Sequence, residues 1–164
     1  MSERDPIDVY LNDHYAGSAM AIDLVERLHR DTGDSTLGEF LTGLKDEIKQ
    51  DQATLVDIMS KLGIQPDPLK QAAGKAAELL SRIKLGGGHR DTGRLLTLET
   101  LSLGIEGKAA LWLALERVAD SYGALDGFDF GDLLRRAETQ RKGVEQQRLA
   151  AAEKILTIGA AVPS

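Results

Sequence analysis

The sequence predicts an all-α protein: a bundle of four long helices, with a fifth, shorter helix in the connection between the second and third. Three observations carry this expectation. Hydrophobic residues make up 42% of the chain but aromatics only 4%, with Leu and Ala abundant, a composition that favours helices packed through aliphatic layers over a sheet. Apolar residues recur every three to four positions along four stretches, the spacing of one helix face. Proline and glycine clusters punctuate those stretches and nowhere interrupt them.

The first helix is expected over about residues 6–31. Pro6 suits a first turn after Asp5, and Thr32-Gly33-Asp34 breaks the pattern. Its stripe reads Ile7, Leu11, His14, Ser18, Ala21, Val25, Leu28. The second, about 35–62, can be capped by Ser35 or Thr36 and is stopped by Gly63. It has the cleanest stripe in the chain: Leu37, Leu41, Leu44, Ile48, Asp51, Leu55, Ile58, Leu62. After Gln65-Pro66-Asp67-Pro68 an Ala-rich helix is expected over about 69–85, followed by a connection from Gly86 to Gly93.

The third long helix, about 94–122, carries Leu98, Leu101, Ile105, Lys108, Trp112, Leu115 and Ala119 on one side. Leu96, Glu99, Leu103, Glu106, Ala110 and Leu113 lie on the other, so it is expected to be covered on two sides. The fourth, about 130–158, has Leu134, Ala137, Arg141, Val144, Arg148, Ala151, Ile155 and Ile158. Helices of this length span roughly 40 Å at about 1.5 Å per residue. Short links make the first and second helices, and the third and fourth, antiparallel hairpins. The long middle link can run the length of the bundle, leaving the second and third helices parallel.

The 164 residues suit one domain spanning 1–164. A formal charge of −6 and no dense basic patch oppose nucleic acid or anionic lipid as partners. The absence of cysteine excludes disulfides, thiolate zinc sites and cysteine nucleophiles. The start, Met-Ser-Glu-Arg-Asp-Pro, lacks the basic and apolar regions of a secretory signal, and no segment stays apolar for a membrane span, so a cytoplasmic location is expected. The histidines are His14, His29 and His89, the last two near helix ends or in loops, which gives no basis for a Ser-His-Asp arrangement. Gly86-Gly87-Gly88 follows a helix and lacks the Gly-Lys-Ser/Thr ending of a phosphate loop.

Two hairpins, one long crossover and acidic residues mid-helix resemble the ferritin-like superfamily over nearly the whole chain. Tyr10-Leu11-Asn12-Asp13-His14 is also similar to the start of small bacterial ferritin-like proteins, a likeness that brings no activity with it. The resemblance implies a dinuclear iron or manganese site built from a Glu on each of two helices and Glu-x-x-His on each of the other two. The nearest matches are Glu47-x-x-Gln50 and Glu138-x-x-Arg141, so both histidines are replaced, one of them by a permanent cation. The motif is incomplete, and the expected cofactor is none.

The inward positions are nevertheless not uniformly apolar. Offsets from the helix midpoints bring His14, Asp51, Glu138 and Arg141 to one mid-bundle layer, with Lys108 and Glu47 within about a turn. Glu106 lies on the second side of the third helix. Burying such ions unpaired costs several kcal/mol each, so a cation–carboxylate network is expected. Gly104, Gly107 and Ala16-Gly17-Ser18-Ala19 permit close helix approach or leave room for a small ligand near that layer. The sequence thus predicts a non-catalytic structural, stress-related or partner-binding bundle that has lost its metal site, forming a homodimer through the third helix. The alternatives are a metal-binding protein for iron handling or oxidation, using His14, Glu47, Asp51, Glu106 and Glu138, and a small-ligand binding module.

Overall fold

The structure, a computed structural model, describes residues 5–67, 90–158 and 160. The described residues form four long helices and no strand: α1 (Pro6–Thr32), α2 (Thr36–Lys61), α3 (Arg90–Val118) and α4 (Phe130–Leu156). Two short 3-10 turns, Ala119–Ser121 and Gly123–Leu125, join α3 to α4. The crossover helix expected over 69–85 lies outside the described residues.

The starts of α1, α2 and α4 are each set by a side chain that satisfies a free backbone N–H of the first turn. Asp5 accepts from the Ile7 amide at 3.2 Å, Ser35 Oγ from the Gly38 amide at 3.1 Å and Asp129 Oδ1 from the Asp132 amide at 2.8 Å. Gly33 ends α1 with φ 57°, in the left-handed region that glycine enters without penalty, and its amide bonds to the His29 carbonyl at 3.0 Å. The third helix departs from its expected bounds. Its described part opens at Arg90, four residues before the expected start, so Arg90 to Gly93 belong to the helix, where Thr97 Oγ1 donates to the Gly93 carbonyl at 2.8 Å. It closes at Val118, because the chain tightens into 3-10 turns and Tyr122 is extended, with φ −133° and ψ 96°.

Leu41, Leu44, Ile48, Asp51, Leu55 and Ile58 of α2 are all buried, as the stripe predicts. The aliphatic ones join Leu24, Val25 and Leu28 of α1, Leu98, Leu101, Ile105 and Trp112 of α3, and Leu133, Ala137 and Val144 of α4 in one apolar core. In α4 the buried line is Phe130, Leu133, Ala137, Gln140, Val144, so Leu133 and Gln140 take the places expected for Leu134 and Arg141. Ala137 and Val144 are common to both lines, so a small turn of the helix suffices to bury a neutral amide in place of a guanidinium. The second apolar side of α3 is open: Leu103 is 74% exposed and Leu113 46%.

Two contacts fix the helix directions. Arg94 Nη2 donates to the Asp31 carbonyl at 2.9 Å, placing the start of α3 beside the end of α1. Lys61 Nζ sits 4.7 Å from the Phe128 ring centroid, placing the end of α2 beside the link from α3 to α4. Since α1 and α2 form a hairpin, α2 and α3 run in the same direction. The described stretches on either side of residues 68–89 therefore lie at opposite ends of the bundle.

Glycines report where helices meet tightly. A Cβ on Gly38 would lie 1.8 Å from the Gly33 carbonyl oxygen, and one on Gly143 would lie 2.7 Å from the Phe40 ring, whereas one on Gly17 meets no described atom within 4 Å. Gly38→Ala is therefore predicted to lower unfolding free energy by about 2 kcal/mol or more, since backbone must shift. Gly17→Ala is predicted to raise it by about 0.5–1 kcal/mol through helix propensity. Urea unfolding of the two variants checks both signs; a loss of stability in Gly17→Ala of the same size as in Gly38→Ala would contradict this packing.

Candidate functional site: a buried carboxylate cluster beside a cavity

Asp51 sits on the buried stripe of α2, 2% exposed, where a carboxylate needs partners supplied by other helices. Lys108 of α3 and Gln140 of α4 supply two. Lys108 Nζ donates to Asp51 Oδ2 at 2.5 Å and also to Gln140 Oε1, while Gln140 Nε2 donates to the same Oδ2 at 3.0 Å. The three side chains close a triangle in which the amide of Gln140 reads both ends of the ion pair. Arg136, one turn before Gln140, brings Nη2 to 2.9 Å from Asp51 Oδ1 and donates to Gln50 Oε1 at 3.2 Å. The Arg136–Asp51 contact is an ion pair whose angle is poor for a hydrogen bond, so Oδ1 has an electrostatic partner but no hydrogen bond.

Burial pushes the Lys108 ammonium below the ordinary lysine value; the Asp51 carboxylate pulls it back up, and Arg136 adds to the lowering. The lowering is consistent with a lysine whose side chain is 16% exposed and shares its carboxylate with a second cation.

Of the residues singled out in the sequence, Asp51 and Lys108 meet as expected. Arg141 does not join them: it faces Glu106 at 3.3 Å in a solvent-accessible pair, because α4 presents Gln140 inward and leaves Arg141 at the edge against α3. Glu47 and Glu138 are exposed, each one position off its buried line, and Glu106 is exposed on the open side of α3. His14 is half-buried on α1, its ring edge-on to Tyr10 at a centroid distance of 4.7 Å. His14, Glu47, Asp51, Glu106 and Glu138 are thus not gathered into one set, and among the described residues no three His, Asp or Glu side chains are grouped to hold a metal ion.

Gln140 and Arg136 are the members that sequence reasoning missed. The signal for Gln140 was present: Leu133, Ala137, Gln140 and Val144 keep helical spacing as well as the line through Arg141, and burying an amide is less costly than burying a guanidinium. Asn12, 4% exposed, was missed too. It accepts from the Asp67 amide at 2.7 Å and donates to the Asp8 carboxylate at 2.6 Å, tying α1 to the chain after α2.

A cavity of about 230 Å³ lies between α1, α2 and α3, next to this cluster. Lys108 and Trp112, one turn apart on α3, line it together with Leu111, His14, Gly17 and Gly104. Gln52 of α2 donates to Ser18 Oγ of α1 at 2.8 Å in its wall.

The described residues define an all-α protein of four long helices with a buried lysine–carboxylate–amide cluster. Comparison of the chain with protein-family models, with curated proteins and with solved structures finds no match.

Two predictions follow from the cluster's geometry. Asp51→Ala leaves Lys108 and Arg136 without their shared carboxylate and is expected to cost about 3 kcal/mol, while Gln140→Leu costs about 1–3 kcal/mol, both read by urea unfolding; unchanged midpoints would contradict the cluster. The second concerns pH. Lys108 titrates lower in the folded than in the unfolded chain, so between the folded value and 10.5 the unfolded state holds more protons. The penalty for burying the ammonium is full below the folded value and is relieved as pH rises through that window. Unfolding free energy of the wild type relative to Lys108→Met is therefore expected to increase from neutral pH towards 10.5, and a decrease would contradict the assigned shift.

Proposed function

We propose that the chain is a ferritin-like bundle in which the Asp51 cluster stands where a dinuclear metal centre would be, and that it is a non-catalytic structural or partner-binding protein. One observation carries the reading: the carboxylate buried mid-bundle is already engaged by two cations, Lys108 and Arg136. A divalent ion beside them would meet repulsion that a bundle interior screens poorly. The common direction of α2 and α3 and the large separation of the chain ends flanking residues 68–89 support the ferritin-like part of the reading. Leu103 and Leu113, exposed on α3, give the protein a face for a second copy of itself.

Elemental analysis of the purified protein tests the first part. The expected result is no stoichiometric iron or manganese and a melting temperature unchanged by EDTA, because a bound ion would add its binding energy to stability. About one or two ions per chain, as a dinuclear centre requires, would overturn the reading. Light scattering tests the second part: the mass expected is that of two 17.7 kDa chains, and Leu103→Glu should return it to that of one.

A further inference from the structure

The wall of the cavity beside the cluster is mostly apolar surface, interrupted by polar residues that include Asp13, His14 and Thr100, and two hydrogen-bond donors on it are not fully engaged by described acceptors. Trp112 is 1% exposed and its indole Nε1 has no hydrogen-bond partner among the described residues. Buried donors are nearly always satisfied, so one left open at a cavity wall calls for a missing acceptor. Lys108 is the second. An ammonium has three N–H donors, and Asp51 and Gln140 take two. Residues four apart share a helix face, so Lys108 and Trp112 present both donors on the same side of α3.

The walls give an independent observation. Gly17 of α1 and Gly104 and Gly107 of α3 all line the cavity, and a Cβ at any of them would meet no described atom within 4 Å. Gly38 and Gly143 differ, since each is pressed against a neighbour. Alanine favours a helix interior more than glycine does, so three glycines that no described contact requires keep open a volume that alanine would reduce.

From the unsatisfied indole, the spare ammonium donor and the preserved volume together, we infer that the cavity is a binding site for a small, mainly apolar molecule. That molecule carries one sp² oxygen acceptor, a carbonyl or a carboxylate. Its acceptor end meets Trp112 Nε1 and Lys108 Nζ, and its apolar body fills the space lined by Leu24, Leu101 and Leu111. A dry apolar cavity of about 150 Å³ takes benzene, so 230 Å³ suits a ligand of about ten non-hydrogen atoms.

Trp112 is the chain's single tryptophan, so one indole N–H resonance in a ¹H–¹⁵N spectrum reports on the site without interference. The full chain is titrated with phenylacetamide, phenylacetate and propylbenzene, probes of similar size that offer a carbonyl, a carboxylate and no acceptor. The inference expects saturable movement of the indole resonance with phenylacetamide, phenylacetate or both, at a dissociation constant of about 1 mM or tighter for a ligand of this size. Which of the two binds more tightly identifies the acceptor's charge. Propylbenzene should bind at least about tenfold more weakly, because it leaves the donors unpaired. Gly107→Leu, or Gly104→Leu should the first variant fail to fold by circular dichroism, fills the cavity and should abolish the movement. No saturable movement up to about 10 mM, equal affinity for propylbenzene, or binding unchanged in a folded leucine variant would each overturn the assignment.

Discussion

A carboxylate held among aliphatic layers has to be neutralised where it lies, because moving an uncompensated ion out of water costs several kcal/mol. Asp51 imposes that requirement on the whole bundle. The backbones of α2 and α4 approach each other closely at few points, yet Gln140 and Arg136 of α4 and Lys108 of α3 all converge on Asp51. The rotation of α4 about its own axis follows from the same demand. Turning the helix to bury Arg141 would withdraw the amide that bonds to both members of the ion pair. The polar cluster thus fixes the mutual register of three helices, which leucine layers alone specify loosely.

The sequence made α2 legible almost completely, because its apolar positions recur without competition and Asp51 is the single exception on the line. It made α4 legible less well. Two lines, through Gln140 and through Arg141, share Ala137 and Val144, and periodicity alone does not choose between them; the partner that chooses is Asp51, 89 residues away in the chain. For α3 the apolar character on both sides was read correctly, but only the side bearing Leu98, Leu101 and Trp112 reaches the core, and Leu103 and Leu113 face outward. Glycine at 93 suggests a break in the sequence, although here it lies within the helix and its carbonyl accepts from Thr97. Glu47, Glu106 and Glu138 look like ligands by spacing and by chemistry, yet each sits one position outside its buried line, a difference of about 100° around a helix.

The cavity and the cluster share one helix face and one lysine. Lys108 turns two of its donors to Asp51 and Gln140, and its helix places Trp112 one turn further on along the same wall. A stable cluster therefore also holds the cavity in shape: with the ion pair made, the Lys108 ammonium is anchored at the edge of the apolar space and does not collapse into it. The neighbouring glycines belong to the same arrangement, since side chains there would reduce the volume that the anchored lysine bounds.

Asp51 and Lys108 depend on each other for their contribution to the fold. A double-mutant cycle with Asp51→Leu and Lys108→Met, both followed by urea unfolding at neutral pH, measures that pairing directly. Asp51→Leu strands the Lys108 ammonium and Lys108→Met leaves Asp51 with Arg136 as its one cation, whereas the double variant removes both charges of the pair. The predicted loss in the double variant is therefore smaller than the sum of the two singles by about 2 kcal/mol or more. Additivity within about 0.5 kcal/mol would mean that the two residues do not depend on each other, and would contradict the account.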